Sequence, residues 1–104
     1  MNVEQSTSNI KHQTSNFSSA SLEQNIPNPF NHTTTINYTL PNEFSSAKII
    51  VTDKAGKVLK EIKLTSKGNG TLQLDASTLS SGAYQYSLYV NGRLIDTKQM
   101  EHIS

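Results

Sequence analysis

The sequence predicts an all-β fold, a sandwich or barrel of short antiparallel strands. Three observations predict it. Apolar and polar residues alternate in segment after segment from residue 33 onward, which is the period of a half-buried strand. Turn signals built on Gly, Pro, Asn and Asp separate these segments at intervals of about 8–12 residues, the spacing of sandwiches and barrels. No 3.6-residue apolar period persists, so helix is limited to one turn at Ala76-Ser77-Thr78-Leu79.

The stretch from Leu22 to Leu40 reads LEQNIPNPFNHTTTINYTL. Pro27 and Pro29 bracket Asn28, which excludes both a helix and a central strand there. Phe30 follows, a large apolar residue on stiff chain. A short strand is expected around Leu22–Gln24. Thr35 to Leu40 then puts Ile36, Tyr38 and Leu40 on one face, and Pro41-Asn42-Glu43 ends that strand.

Ala47 to Thr52 is the next strand. Asp53-Lys54-Ala55-Gly56 has Asp first and Gly last, as a four-residue turn prefers. It joins Val58 to Leu64 as the second arm of a hairpin. Lys67-Gly68-Asn69-Gly70 reads as a break, and Thr71 to Asp75 as a strand with Leu72 and Leu74 inward. Ser80-Ser81-Gly82 turns the chain into Ala83 to Val90, where Tyr84, Tyr86, Leu88 and Val90 share a face. Asn91-Gly92 is the strongest hairpin signal, because a two-residue type I′ turn needs positive φ at both positions. Arg93 to Met100 returns. The expected core is Phe30, Ile36, Tyr38, Leu40, Ile49, Val51, Ile62, Leu64, Leu72, Leu74, Leu79, Tyr84, Tyr86, Leu88 and Val90.

The 104 residues suffice for one domain. Apolar residues make up only 34%, and residues 1–21 account for much of the deficit. They are rich in Ser, Thr, Asn and Gln and cannot bury enough apolar surface to offset ordering entropy. The expectation is a flexible linker over 1–21 and a β-domain over 22–104. The net charge is +1. Lys54, Lys57, Lys60, Lys63 and Lys67 are interrupted by Asp53 and Glu61 and have no aromatic among them, which argues against a nucleic-acid partner. There is no cysteine, hence no disulfide scaffold, zinc ribbon or thiol nucleophile. No apolar run reaches the length of about 18 residues that a spanning helix needs, so no direct membrane insertion is expected. No basic-then-apolar leader pattern opens the chain, so any export leader is expected upstream.

No constellation for catalysis, metal or cofactor is visible. His12, His32 and His102 have no metal-pair spacing and read as surface residues. Asp53 and Asp75 fall at strand ends, where turn hydrogen bonds explain them. No Ser sits in a nucleophile elbow. There is no tryptophan, and Tyr89, facing away from Tyr84 and Tyr86, would be a lone aromatic on the outer surface. That is a poor platform for sugar.

Four elements in order resemble the type A C-terminal sorting domain of the Bacteroidetes type IX secretion system, over about Leu22 to Met100. They are LEQNIPNPFNHTTTINYTLP, with Gln24-Asn25, Pro27-Asn28-Pro29-Phe30-Asn31, Thr33, Ile36, Tyr38 and Leu40-Pro41. Next come Ile49 to Val58 with the Asp53-x-x-Gly56 turn, and Leu79-x-x-Gly82-x-Tyr84. The last runs from Val90-Asn91-Gly92 to Thr97-Lys98-Gln99-Met100. One departure is that the family usually closes on an apolar-basic strand, where this chain reads Glu101-His102-Ile103-Ser104.

The resemblance implies an immunoglobulin-like antiparallel β-sandwich of about seven strands. It implies an address rather than an enzyme, with no cofactor. Cargo would pass the periplasm and the outer membrane to the cell surface or beyond. The implied partners are the type IX translocon, an outer-membrane shuttle protein and a sortase. The sortase would cut ahead of the sandwich, near Ser18, Ser19, Ala20 and Ser21. The hairpin strand carrying Arg93, Asp96 and Lys98 is the candidate recognised surface, since an edge strand can bind by adding to a partner's sheet. The competing reading is a carbohydrate-binding or adhesive immunoglobulin-like module of a secreted protein.

Overall fold

The computed structural model describes residues 20–103. Among these residues seven strands run in chain order: β1 (Ser21–Leu22), β2 (Thr33–Leu40), β3 (Ala47–Asp53), β4 (Val58–Lys63), β5 (Gly68–Asp75), β6 (Gly82–Val90) and β7 (Arg93–His102). A 3₁₀ turn at Ala76–Thr78 links β5 to β6, where the single helical turn was expected. The strands form two antiparallel sheets, β1-β2-β5 and β4-β3-β6-β7. This is an immunoglobulin-like sandwich: β1, β2 and β5 take the places of strands A, B and E, and β3, β6 and β7 those of C, F and G.

Alternation builds the core. β2 reads exposed, buried in turn, with Thr34, Ile36, Tyr38 and Leu40 inward. β6 buries Tyr84, Tyr86, Leu88 and Val90. Ile36, Ile49, Val51, Tyr86, Leu88 and Val90 have no exposed surface at all. Phe30, Leu64, Leu74 and Leu79 are also buried as expected, whereas Ile62 and Leu72 only lean against the core. The core also takes in Ala20, Leu22, Ala47, Ala76 and Met100.

Two expectations are corrected here. Gly68-Asn69-Gly70 is not a break but the first part of β5, which pairs with β2 from Leu40↔Gly68 to Thr33↔Asp75. Gly70 faces Tyr38, and a Cβ there would lie 2.4 Å from Tyr38 Cζ. The missing side chain is what admits the ring. The last strand runs on to His102, and His102 is buried rather than on the surface. Its ring stacks on Phe30, with centroids 5.3 Å apart.

The turns follow their chemistry. Asp53 Oδ1 accepts from the N–H groups of Ala55 and Lys57, both at 2.9 Å, and Gly56 sits at φ 92°. Asn91 and Gly92 have φ 54° and 77°, both positive as the tight hairpin requires.

Candidate recognition surface

The lead-in from Leu22 to Phe30 sews the two sheets together along one side. Glu23 N–H donates to Asn37 O, and Ile26 exchanges two 2.9 Å hydrogen bonds with Thr35, so the chain first follows β2. It then crosses to β7. Phe30 N–H donates to Glu101 O, and Ile103 N–H donates to Phe30 O, a parallel bridge centred on His102. The prolines therefore do not hold this segment out of the sheets; Ile26 and Phe30, on either side of Pro27-Asn28-Pro29, each join one. The Ile26–Pro27 and Asn28–Pro29 peptide bonds are cis.

Side chains fasten this crossing. Asn25 is buried and donates from Nδ2 to Thr34 Oγ1 at 2.9 Å and to Pro27 O at 3.0 Å. Thr34 Oγ1 donates to Pro27 O as well. Buried amides carry this many partners because an unpaired one costs about 1–3 kcal/mol. Asn28 Oδ1 accepts from Glu101 N–H, and Gln24 Nε2 donates to Gln99 O. Tyr86 hydroxyl donates to Glu23 O at 2.8 Å. Burial pushes the Tyr86 phenol up to about 12; the nearby Asp96 and Glu23 carboxylates add to this, against a lowering bond from the Asn25 backbone.

The Leu79-x-x-Gly82-x-Tyr84 element is a tyrosine corner. Tyr84 hydroxyl donates back to Ser80 O, the bond that marks this corner in immunoglobulin-like sandwiches. His102 Nδ1 reaches the same carbonyl at 3.1 Å. Phe30, His102, Ser80 and Tyr84 thus tie the lead-in, the last strand and the β5–β6 connection at one point.

β7 is an edge strand with two different halves. Its second half is covered by the lead-in. Its first half, Arg93 to Lys98, contains a β-bulge at Ile95: Leu88 pairs with Asp96 and Tyr89 with Leu94. The extra residue reverses the alternation locally. Leu94 turns outward and is 51% exposed, while Ile95 packs on the core. Asp96 and Lys98 lie opposite Leu88 and Tyr86, on the inner face, and pair with each other at 3.5 Å. Asp96 Oδ1 also accepts from Thr97 N–H. Arg93 lies at the hairpin end, opposite Val90. The structure thus joins Asp96 to Lys98 on the inner face and places Arg93 at the hairpin end.

Of the small residues expected near a cut, Ser18 and Ser19 lie outside the described residues. Ala20 is buried, and Ser21 pairs with Thr39 in β1. On the outer face, Lys48 Nζ sits 5.8 Å over the half-buried ring of Tyr89, which occupies the face a sugar would need. Among the described residues no group of three His, Cys, Asp or Glu is arranged to hold a metal ion. Nor is any helix among the described residues long and apolar enough to cross a membrane.

The sequence profile of the secretion system C-terminal sorting domain matches residues 26–101. The chain belongs to that family. No curated protein matches it. The sorting domain is a C-terminal signal for type IX secretion, and its family is not an enzyme family. A protein that bears it is exported. In this family setting the four sequence elements gain structural jobs. The Gln24–Phe30 run is the cross-sheet stitch. The Asp53–Gly56 turn closes the β3–β4 hairpin, Leu79–Tyr84 forms the tyrosine corner, and Asn91-Gly92 turns β6 into β7.

At this surface sequence reasoning misses the burial of His102 and the bulge at Ile95. His102 reads as surface because its ring partner, Phe30, is distant in sequence. The bulge at Ile95 was hidden in the apolar doublet Leu94-Ile95, where alternation has no phase.

Proposed function

We propose that this sorting domain delivers its cargo to the type IX translocon, is carried by an outer-membrane shuttle protein and is then removed by a sortase. The observation that carries this reading is the family match over residues 26–101, a span that runs from the lead-in through β2 into β7. The cargo passes through the periplasm and finishes on the cell surface or in the medium.

The cut falls ahead of Ala20. A protease needs chain it can draw into an extended conformation. Ala20 is buried and Ser21 is paired, so cutting at either would require β1 to detach. Ser18 and Ser19 precede this paired and buried stretch in sequence and are the better targets. The recognised surface is the uncovered half of β7, with Arg93 at the turn and the Asp96–Lys98 pair beyond it.

The test is a fluorescent reporter carrying a periplasmic leader and residues 1–104, expressed in a Bacteroidetes host with and without the type IX system. Surface or extracellular reporter only in the competent host is the expected result, with a new terminus ahead of Ala20. Reporter that stays in the periplasm of both hosts would end the sorting reading.

A further inference from the structure

The two sides of the sandwich are closed unequally. On one side the lead-in joins β2 to β7. On the other, β4 and β5 are each the last strand of their sheet and are linked by the short 64–67 connection. The four-stranded sheet has one strand more than the sheet it packs on. Lys60, Ile62 and Leu64 lie opposite Val51, Ile49 and Ala47 and so point inward. Val51 and Ile49 have no exposed surface, yet Lys60 and Ile62 are only half-buried, as is Leu72 on β5.

Among the described residues β5 also offers unpaired backbone. Glu23 and Ile26 bond to Asn37 and Thr35, so odd-numbered residues of β2 face β1. Its even-numbered residues then face β5, and in an antiparallel pair they bond to the even-numbered residues of β5 opposite them. Asn69, Thr71 and Gln73 therefore turn their N–H and C=O groups away from the sheet.

Proteins guard such edges with bulges, lysines, inward charges or covering chain. The bulge at Leu59, with Lys60 and Lys63, guards β4. The Ile95 bulge, the inward Asp96–Lys98 pair and the lead-in guard β7. β1 has two residues. β5 has eight in unbroken register, with no proline and no charge before Asp75.

We propose that the free edge of β5 accepts an extended strand from a partner protein, completing the three-stranded sheet. The partner strand alternates apolar and polar residues. Its apolar side chains cover Leu72 and Ile62, and a carboxylate among them meets Lys60, the cation on the inner face of β4. A second copy is the poorer occupant. Its β5 carries only Gly68, Gly70, Leu72 and Leu74 on the inward face, with no acid for Lys60. This binding mode stands on geometry, whether or not the domain acts as an address.

The test is amide NMR of the full chain titrated with a short synthetic peptide of alternating valine and threonine, with one aspartate in the valine register. Saturable shifts confined to residues 69–75 and 58–64 are expected. Lys60→Glu should weaken binding about tenfold, and replacing the peptide's aspartate by lysine should restore it. Gln73→Pro removes an outward N–H and should abolish the shifts at an unchanged melting temperature. If that variant melts early, the Lys60 charge swap answers the question in a folded chain. No shifts at millimolar peptide, shifts along β7 instead, or self-association through β5 would each overturn the proposal. Failure of the reporter in a competent host, by contrast, would leave it standing.

Discussion

The imidazole of His102 stacks on the ring of Phe30 at an interplanar angle of 26°, joining the last strand to the lead-in. Both rings are nearly closed to solvent, Phe30 at 2% exposure and His102 at 8%. The contact fixes the place where the lead-in meets the last strand. Phe30→Ala should lower unfolding free energy by about 3–5 kcal/mol, the range for a buried Phe. His102→Ala should lower it less. The double variant should fall short of the sum, by roughly 0.5–1.5 kcal/mol for a ring pair. Denaturant unfolding of the four proteins measures this. Strict additivity would show that the rings do not support each other.

Gly70 and Tyr38 make a second fixed pair. The ring of Tyr38 occupies the place of a side chain on β5, with Cζ 2.4 Å from an ideal Gly70 Cβ. Both residues lie within a regular ladder, so backbone cannot yield without breaking register. Gly70→Ala should destabilise by about 1–3 kcal/mol through overpacking. Gly70→Ala made in a Tyr38→Ala background should cost much less, since the obstructing ring is gone. Equal costs in both backgrounds would point to the backbone rather than to the ring.

Tyr86 supplies a pH dependence. Its phenol stays neutral to about 12 in the folded chain because burial disfavours the phenolate. In the unfolded chain it ionises near its ordinary 10. The folded-state value is the higher one, so this contribution is fully present below pH 10 and is lost as pH rises from 10 towards 12. The loss should reach about 2–3 kcal/mol. The measurement is the difference between the parent and Tyr86→Phe, which isolates this one phenol. The variant should start lower, having lost the bond to Glu23 O, and decline less steeply. Parallel curves would reject the assignment.

What the sequence disclosed was local. Asp53-x-x-Gly56 and Asn91-Gly92 dictate their own turns, and the alternation in Thr35–Leu40 and Ala83–Val90 phases two strands whatever surrounds them. What stayed hidden depends on distant partners. Gly68-Asn69-Gly70 has turn composition, yet Gly70 serves a strand because Tyr38 lies opposite. Both bulges sit at apolar doublets, Val58-Leu59 and Leu94-Ile95, where period-two reading cannot choose which residue turns inward. The halves of the candidate surface divide likewise. Arg93, Asp96 and Lys98 were visible as charges on a hairpin strand. That Asp96 and Lys98 would pair on the inner face follows from the bulge, which the sequence does not mark.

Asn91 has two jobs that can be separated. Its backbone holds φ at 54° for the hairpin, and its Oδ1 accepts from Ser45 N–H at 2.6 Å and Ser46 N–H at 3.2 Å. Its own N–H donates to Ser46 O. The side chain thus ties the β2–β3 loop to the turn that presents Arg93. Asn91→Gly keeps the turn conformation and removes only the side-chain acceptor, at a cost of about 1–2 kcal/mol. Asn91→Ala removes the acceptor and also strains the left-handed backbone, adding about 1 kcal/mol. In amide NMR, Asn91→Gly should shift Ser45 and Ser46 while the Val90 and Arg93 signals stay near their parent positions. Asn91→Ala should move both sets. If secretion of the reporter falls with Asn91→Gly while the fold is retained, the β2–β3 loop belongs to the recognised surface. If it falls only with Asn91→Ala, the hairpin itself is what the machinery reads.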